Sequence, residues 1–203
     1  GNPQFTNLMW PYFPIGISNN QNVITKNINP VKFEFPTSID TLSRPNIKTN
    51  VLFESSERTI SKTVPNYVSL SEMVRLDSIG EMERPSPPKI FAVSLEGKFQ
   101  SAYATRSEKN NFPDFKTNSP ENKMIVIADG DLARNQNYKG QPLPLGFDFL
   151  TQQQFGNEQF LRNALDYLLD DSNLMSLRNR NIEMRLLDKQ RIDEERKYWQ
   201  WFN

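Results

Sequence analysis

The residues best placed to do chemistry lie in "MIVIADGDLARNQ", Met124 to Gln136. An apolar run ends there in two aspartates around a glycine, Asp129-Gly130-Asp131, with Arg134 and Asn135 just behind and Asp148 further on. Carboxylates that follow a buried strand suggest a ligand edge, because ligands in α/β proteins gather at the carboxyl ends of strands. Two carboxylates on one turn are a partial oxygen set for Mg²⁺ or Ca²⁺, with Asp148 or Asn135 as further donors. A glycosidase-type acid–base pair is a second reading. A third is turn chemistry: Asp side chains satisfy nearby amides, Gly130 permits a positive φ, and Arg134 pairs with either aspartate. The residue types weigh towards the turn. The Ca²⁺-loop spacing D-x-D-x-D-G is absent.

Composition narrows the chemistry. The 203 residues include no histidine and no cysteine. That removes the commonest general base and metal ligand, all thiol nucleophiles and any Ser-His-Asp triad built from this chain alone. The G-x-G-x-x-G, G-x-x-x-x-G-K-[ST] and G-x-S-x-G patterns are also missing, so nucleotide binding and hydrolase chemistry have no local support. No cofactor or metal is expected. Basic and acidic residues balance at 24 each, giving no reason to expect nucleic acid or an anionic membrane as partner. The mean hydropathy is −0.66. No apolar run approaches the roughly 20 residues that span a bilayer. Gly1 stands where a methionine would start a chain, so the sequence reads as a fragment whose membrane anchor lies outside it.

Two aromatic groups stand out. "MWPYFPIGI" places Trp10, Tyr12, Phe13 and Ile15 around two prolines, and Tyr138 sits in the loop behind the aspartates. Large apolar side chains usually bury, so these read first as core plugs. The alternative is an aromatic recognition surface of Trp10, Tyr12 and Tyr138 in a glycan- or peptide-binding envelope module. The terminal "ERKYWQWFN" suits either a helix packed on the domain or a juxtamembrane position.

The elements that must position these groups follow from periodicity. "VKFEF", Val31 to Phe35, alternates apolar and charged and predicts a half-buried strand. "PTSIDTLSRPNIKT" predicts a short helix or turn, and "NVLFESSERTIS" a second strand from Val51 to Phe53 running into a polar end. The prolines of "EMERPSPPKI" make a connection. "KIFAVSLEGKFQSAY" gives a buried strand from Ile90 to Leu95, then either a hairpin at Glu96-Gly97 or a bend. Residues 105–122 read as a surface loop. Met124 to Ala128, almost wholly apolar, predicts a central strand covered on both faces, as in a parallel sheet. A helix opens at "FGNEQFLRNALDYLLDD" with Asn157 as N-cap and Phe160, Leu161, Ala164, Leu165, Leu168 and Leu169 on its apolar face. "NIEMRLLDKQ" looks like a last strand and "RIDEERKYWQWFN" like a final charged helix. The expected architecture is α/β: a mixed, largely parallel sheet with flanking helices. The division is 1–83 for the first strands and loops and 84–203 for the α/β core with its C-terminal helix, together one structural unit.

The ordered set "WPYFP", "FAVSLEGKFQSAY", "MIVIADGDLARNQ", "PLGFDFLTQQQFGNEQFLRNALDYLLDDSNLMSLRNR" and "MRLLDKQRI" resembles GldG, the gliding-motility-associated auxiliary component of an ABC transporter. It runs over most of the chain and is densest from Lys89 to Arg191. The resemblance implies a fold of the class I glutamine amidotransferase-like or flavodoxin-like kind, incomplete here because the strands such a fold places first are missing. It also implies a non-catalytic protein on the periplasmic face of the inner membrane, anchored by helices outside this chain. Its partners would be the ABC permease and ATPase subunits, a copy of itself, or an envelope ligand. No catalytic residue is carried over, and the Cys and His of amidotransferases have no counterpart here. A hydrolase centred on Asp129, Asp131 and Asp148 and the glycan- or peptide-binding module stay as alternatives.

Overall fold

A computed structural model describes residues 10–18, 22–107 and 111–170. The expected strand at "NIEMRLLDKQ" and the final aromatic helix lie outside the described residues. Five strands form one sheet: β1 Ile15–Ser18, β2 Val31–Lys32, β3 Ile47–Glu54, β4 Ile90–Gln100 and β5 Asn118–Ile127, in the order β2-β1-β3-β4-β5. Every pairing is antiparallel. This corrects the expected largely parallel α/β sheet of the amidotransferase or flavodoxin kind. A parallel sheet needs a crossover after each strand, and only two α-helices are present among the described residues. These are α1, Leu70–Ser78, and α2, Asn157–Leu169. Two small hairpins, β6 Asn137–Tyr138 with β7 Gln141–Pro142 and β8 Phe147–Asp148 with β9 Gln153–Gln154, lie between β5 and α2.

The apolar run that suggested a central strand is the edge strand β5. It starts at Asn118, inside the expected surface loop, and its outward side chains Met124 and Val126 are 45% and 37% exposed. Its other face, through Ile125 and Ile127, packs on the core. A one-sided edge strand with apolar residues on both faces gives the same letters as a buried parallel strand.

β4 runs unbroken through Glu96 and Gly97, so the bend is realised and the hairpin is not. Gly97 has φ +141°, and an added Cβ would stand 2.0 Å from the Asn46 carbonyl oxygen of the neighbouring strand's entry. Only glycine fits so close a backbone approach. Register shifts between β3 and β4 place Leu52 and Phe53 both in the core, beside Phe91 and Ala92. A bulge turns consecutive side chains to one face.

α2 covers this core. Phe53 and Phe160 meet edge to face with centroids 4.8 Å apart, and Phe33 packs on Phe53 and Phe91. The buried stripe of α2 is Asn157, Phe160, Asn163, Ala164 and Tyr167, whereas Leu165 and Leu169 are 60% and 78% exposed. The expected leucine face is therefore rotated. Two asparagines win burial because each answers a backbone group: Asn163 Nδ2 donates to the Ile24 carbonyl, and Asn157 accepts from Lys32 N–H and donates to Lys32 C=O. Asn157 is the first helical residue and Gly156 the cap, so Asn157's side chain ties the helix to β2 instead of capping it. Tyr167 Oη donates to Glu96 Oε1 across to β4. Burial first, then the Glu96 carboxylate, raises the pKa of that phenol.

"PTSIDTLSRPNIKT" forms no helix; it bridges Ile39 to Ile90 and Arg44 to Ile47. Helix α1, which was not anticipated, is capped by Ser69 Oγ, which accepts from Glu72 N–H. Met73 and Leu76 pack under Trp10, Tyr12 and Ile60 in a second small core.

Candidate functional site

The β5 end and the β2 end meet. Asp129 is 9% exposed; its Oδ2 accepts from Glu34 N–H and its Oδ1 from Asp131 N–H, both at 2.7 Å. Both oxygens are thus engaged by backbone amides, which is the turn reading in its strict form. Gly130 does not have a positive φ and nothing lies within 4 Å of where a Cβ would be, so the expected conformational need for glycine there is absent.

Around this turn runs an alternating row of charges. Asp131 Oδ1 pairs with Arg134 Nη1 at 3.2 Å, and Arg134 Nη2 pairs with Glu34 Oε2 at 3.2 Å. Glu34 Oε1 lies 2.9 Å from Lys32 Nζ, which lies 2.8 Å from Asp148 Oδ2. The row therefore ends on Asp148, whose Oδ1 accepts from Leu150 and Thr151 N–H and turns the β8–β9 hairpin. Burial opposes the charge on Lys32, but the hydrogen bonds that it donates to Asp148 and Glu34 outweigh it, and the ammonium's pKa is raised. Burial likewise opposes ionised Asp148, and Lys32 with the two amides outweighs it, lowering the carboxyl's pKa. Phe13 and Phe155 flank the Lys32 ammonium at 5.2 and 5.9 Å from their ring centroids.

Lys32, Glu34 and Asn157 were not anticipated as site residues. Alternation in "VKFEF" predicts Lys32 outward, yet β2 is two residues long, Lys32 is 7% exposed and Phe35 is 51% exposed. The signal available was the i, i+2 spacing of Lys32 and Glu34, which puts both charges on one side of an extended chain.

The arrangement leaves little room for a substrate. A cavity of about 20 Å³ lies among Lys32, Glu34, Asp131, Leu132, Arg134, Gln136, Gly146, Phe147 and Asn157, enough for a single water molecule. Asp129 and Asp148 do not line it, so the expected convergence of three aspartates in a cleft is not formed. Asn135 Nδ2 donates to the Leu143 carbonyl at 2.7 Å and belongs to the base of the β6–β7 hairpin. Among the described residues no group of three or more Asp or Glu is placed to hold a metal ion.

The aromatic candidates separate. Trp10 and Tyr12 meet edge to face at 5.2 Å, and Tyr12 and Phe13 each touch Phe35. Tyr12 Oη is buried without a hydrogen-bond partner among the described residues. Tyr138 lies elsewhere, stacked on Phe149 at 4.4 Å, with Lys139 Nζ 5.1 Å from its ring centroid. The three rings make no common platform, and Tyr138 already stacks against a neighbouring ring.

Comparison places the chain in a class. The sequence model of a family described as an ABC-type uncharacterized transport system, ABC_transp_aux, matches residues 1–164. The chain belongs to this family of ABC transport auxiliary components, a membership coarser than the gliding-motility type that its motifs resemble. No curated protein and no solved structure matches it.

Proposed function

We propose that this chain is a non-catalytic, extracytoplasmic auxiliary component of an ABC transport assembly of the gliding-motility type, working through contact with the permease and ATPase subunits. The observation that carries the non-catalytic part is the state of the carboxylates. Both oxygens of Asp129 hold backbone amides, and both of Asp148 hold Lys32 and two further amides. A general base or a metal ligand aims its carboxylate at a substrate; these two are turned inward, where they connect loops to the sheet, and the exposed Asp131 pairs with Arg134. ATP coupling then belongs to another subunit, and the GldG-like motifs support the extracytoplasmic setting.

The test is a pull-down of the full-length protein from membranes in mild detergent, with mass spectrometry of the recovered proteins. Recovery of an ABC permease and ATPase is the expected result. A clean preparation lacking both, repeated under milder extraction, overturns the reading. Protease protection in spheroplasts checks the location: digestion from outside is expected, and protection overturns it.

A further inference from the structure

We propose that the outer side of β5, unpaired among the described residues, is a self-association edge, where two copies of the chain pair β5 antiparallel about a twofold axis at Asn122. The ladder shows which backbone groups are available. Ala128 N–H donates to Phe91 C=O, and the register pairs Ala92 with Ile127. Hydrogen-bonded pairs alternate along an antiparallel ladder. Asn122, Met124, Val126 and Ala128 therefore turn their backbone groups to β4, while Glu121, Lys123, Ile125 and Ile127 turn theirs away. No described residue pairs a strand with that outer side. Lys123 N–H is held by its neighbour's side chain, Asn122 Oδ1, at 2.8 Å, a bond that an incoming carbonyl would replace.

Edges of this length are usually guarded by proline or by a lysine reaching outward. Pro120 sits in the irregular stretch opposite Lys98 to Gln100 and removes no donor from Glu121 to Ile127, and Lys123 Nζ folds back onto the Tyr167 and Asp170 carbonyls at the end of α2. A strand of this chemistry accepts another strand by backbone pairing. The charge pattern selects a second copy and one register. About Asn122, Glu121 stands opposite the partner's Lys123, twice by symmetry. An axis at Glu121 or Lys123 sets like charges opposite each other, and an axis at Met124 leaves both charges against isoleucines. In this isologous register the half-exposed Met124 and Val126 stand opposite positions 120 and 118 of the second copy, on either side of the central Asn122 pair. This pairing is independent of which transporter subunits the chain meets.

The chain contains no cysteine, so a single introduced thiol reports the register. Asn122 would meet its copy as a non-hydrogen-bonded pair with Cα atoms about 4.5 Å apart, within disulfide reach. Sedimentation of the unmodified chain across a range of concentrations is expected to give a dimer mass. Asn122→Cys is expected to cross-link to a covalent dimer under mild oxidation, and Val126→Cys is not. Glu121→Lys, an exposed change, is expected to weaken dimerisation about tenfold, corresponding to about 1.4 kcal/mol for two reversed pairs. Glu121→Pro removes an outward donor and no β4 bond, and is expected to give a folded monomer by circular dichroism and sedimentation. A monomer at all concentrations overturns the proposal. So does a dimer that Glu121→Pro leaves intact, or one that cross-links at position 126 and not at 122.

Discussion

Lys32 and Asp148, 116 residues apart in sequence, meet at 2.8 Å with side chains 8% and 9% exposed. This contact joins the first edge of the sheet to the β8–β9 hairpin, and through Glu34 and Arg134 to the turn after β5.

Removing the cation from this pair should be costly. Lys32→Met keeps the stem between Phe13 and Phe155 but strands the buried Asp148 carboxylate and leaves Glu34 with Arg134 as its one cation, a loss of about 3–5 kcal/mol. For a chain of this size that lowers Tm by on the order of 10 °C, read by calorimetry. Lys32→Met with Asp148→Asn should recover part of it, because the stranded charge is gone. An additive double mutant would show that the pair is not coupled.

The same pair sets a pH dependence. Asp148 has a lowered pKa in the folded state, so its stabilisation is present above the unfolded value of about 3.9 and is lost as pH falls through the folded value. Lys32 has a raised pKa; its contribution is present below about 10.4 and is lost as pH rises through the folded value. Urea midpoints should be level between about pH 5 and 10 as far as this pair is concerned. The acid-side fall should be shallower in Asp148→Asn; an unchanged slope would assign it to other carboxylates.

The two aspartates of the β5 turn should separate. Asp129→Ala deprives two amides of a charged acceptor and should cost about 3 kcal/mol. Asp131→Ala removes one exposed ion pair and should cost less than about 1 kcal/mol. Thermal melts decide it, and melts with Mg²⁺ or Ca²⁺ decide more. A cation-dependent rise in Tm that disappears in Asp131→Ala would restore the metal reading.

Helix α2 offers a packing test. Phe160→Ala opens a cavity against Phe53 and should cost about 3–5 kcal/mol. Leu169→Ala, at a site 78% exposed, should stay within about 0.5 kcal/mol. A loss at Leu169 as large as that at Phe160 would mean that Leu169 is covered as well.

The local features of this protein are legible in its residues. The strands expected at Val51–Phe53, Ile90–Leu95 and Met124–Ala128, the helix after Gly156 and the turn role of Asp129 all rest on short-range rules: alternation, helical spacing, and an aspartate answering nearby amides. The absence of histidine and cysteine limited the chemistry before any fold was known. Sheet direction, strand order and burial were decided only by tertiary structure. Val126 and Val93 are both valines in apolar runs, yet one is 37% and the other 2% exposed, because β5 lies at an edge and β4 between two strands. Lys32 reads as a solvent-facing charge until Asp148 and Glu34 surround it, and Asn163 reads as polar surface until the Ile24 carbonyl needs a donor. Local periodicity sets which side chains share a face; only the folded chain sets what covers that face, since the covering groups come from residues more than a hundred positions away.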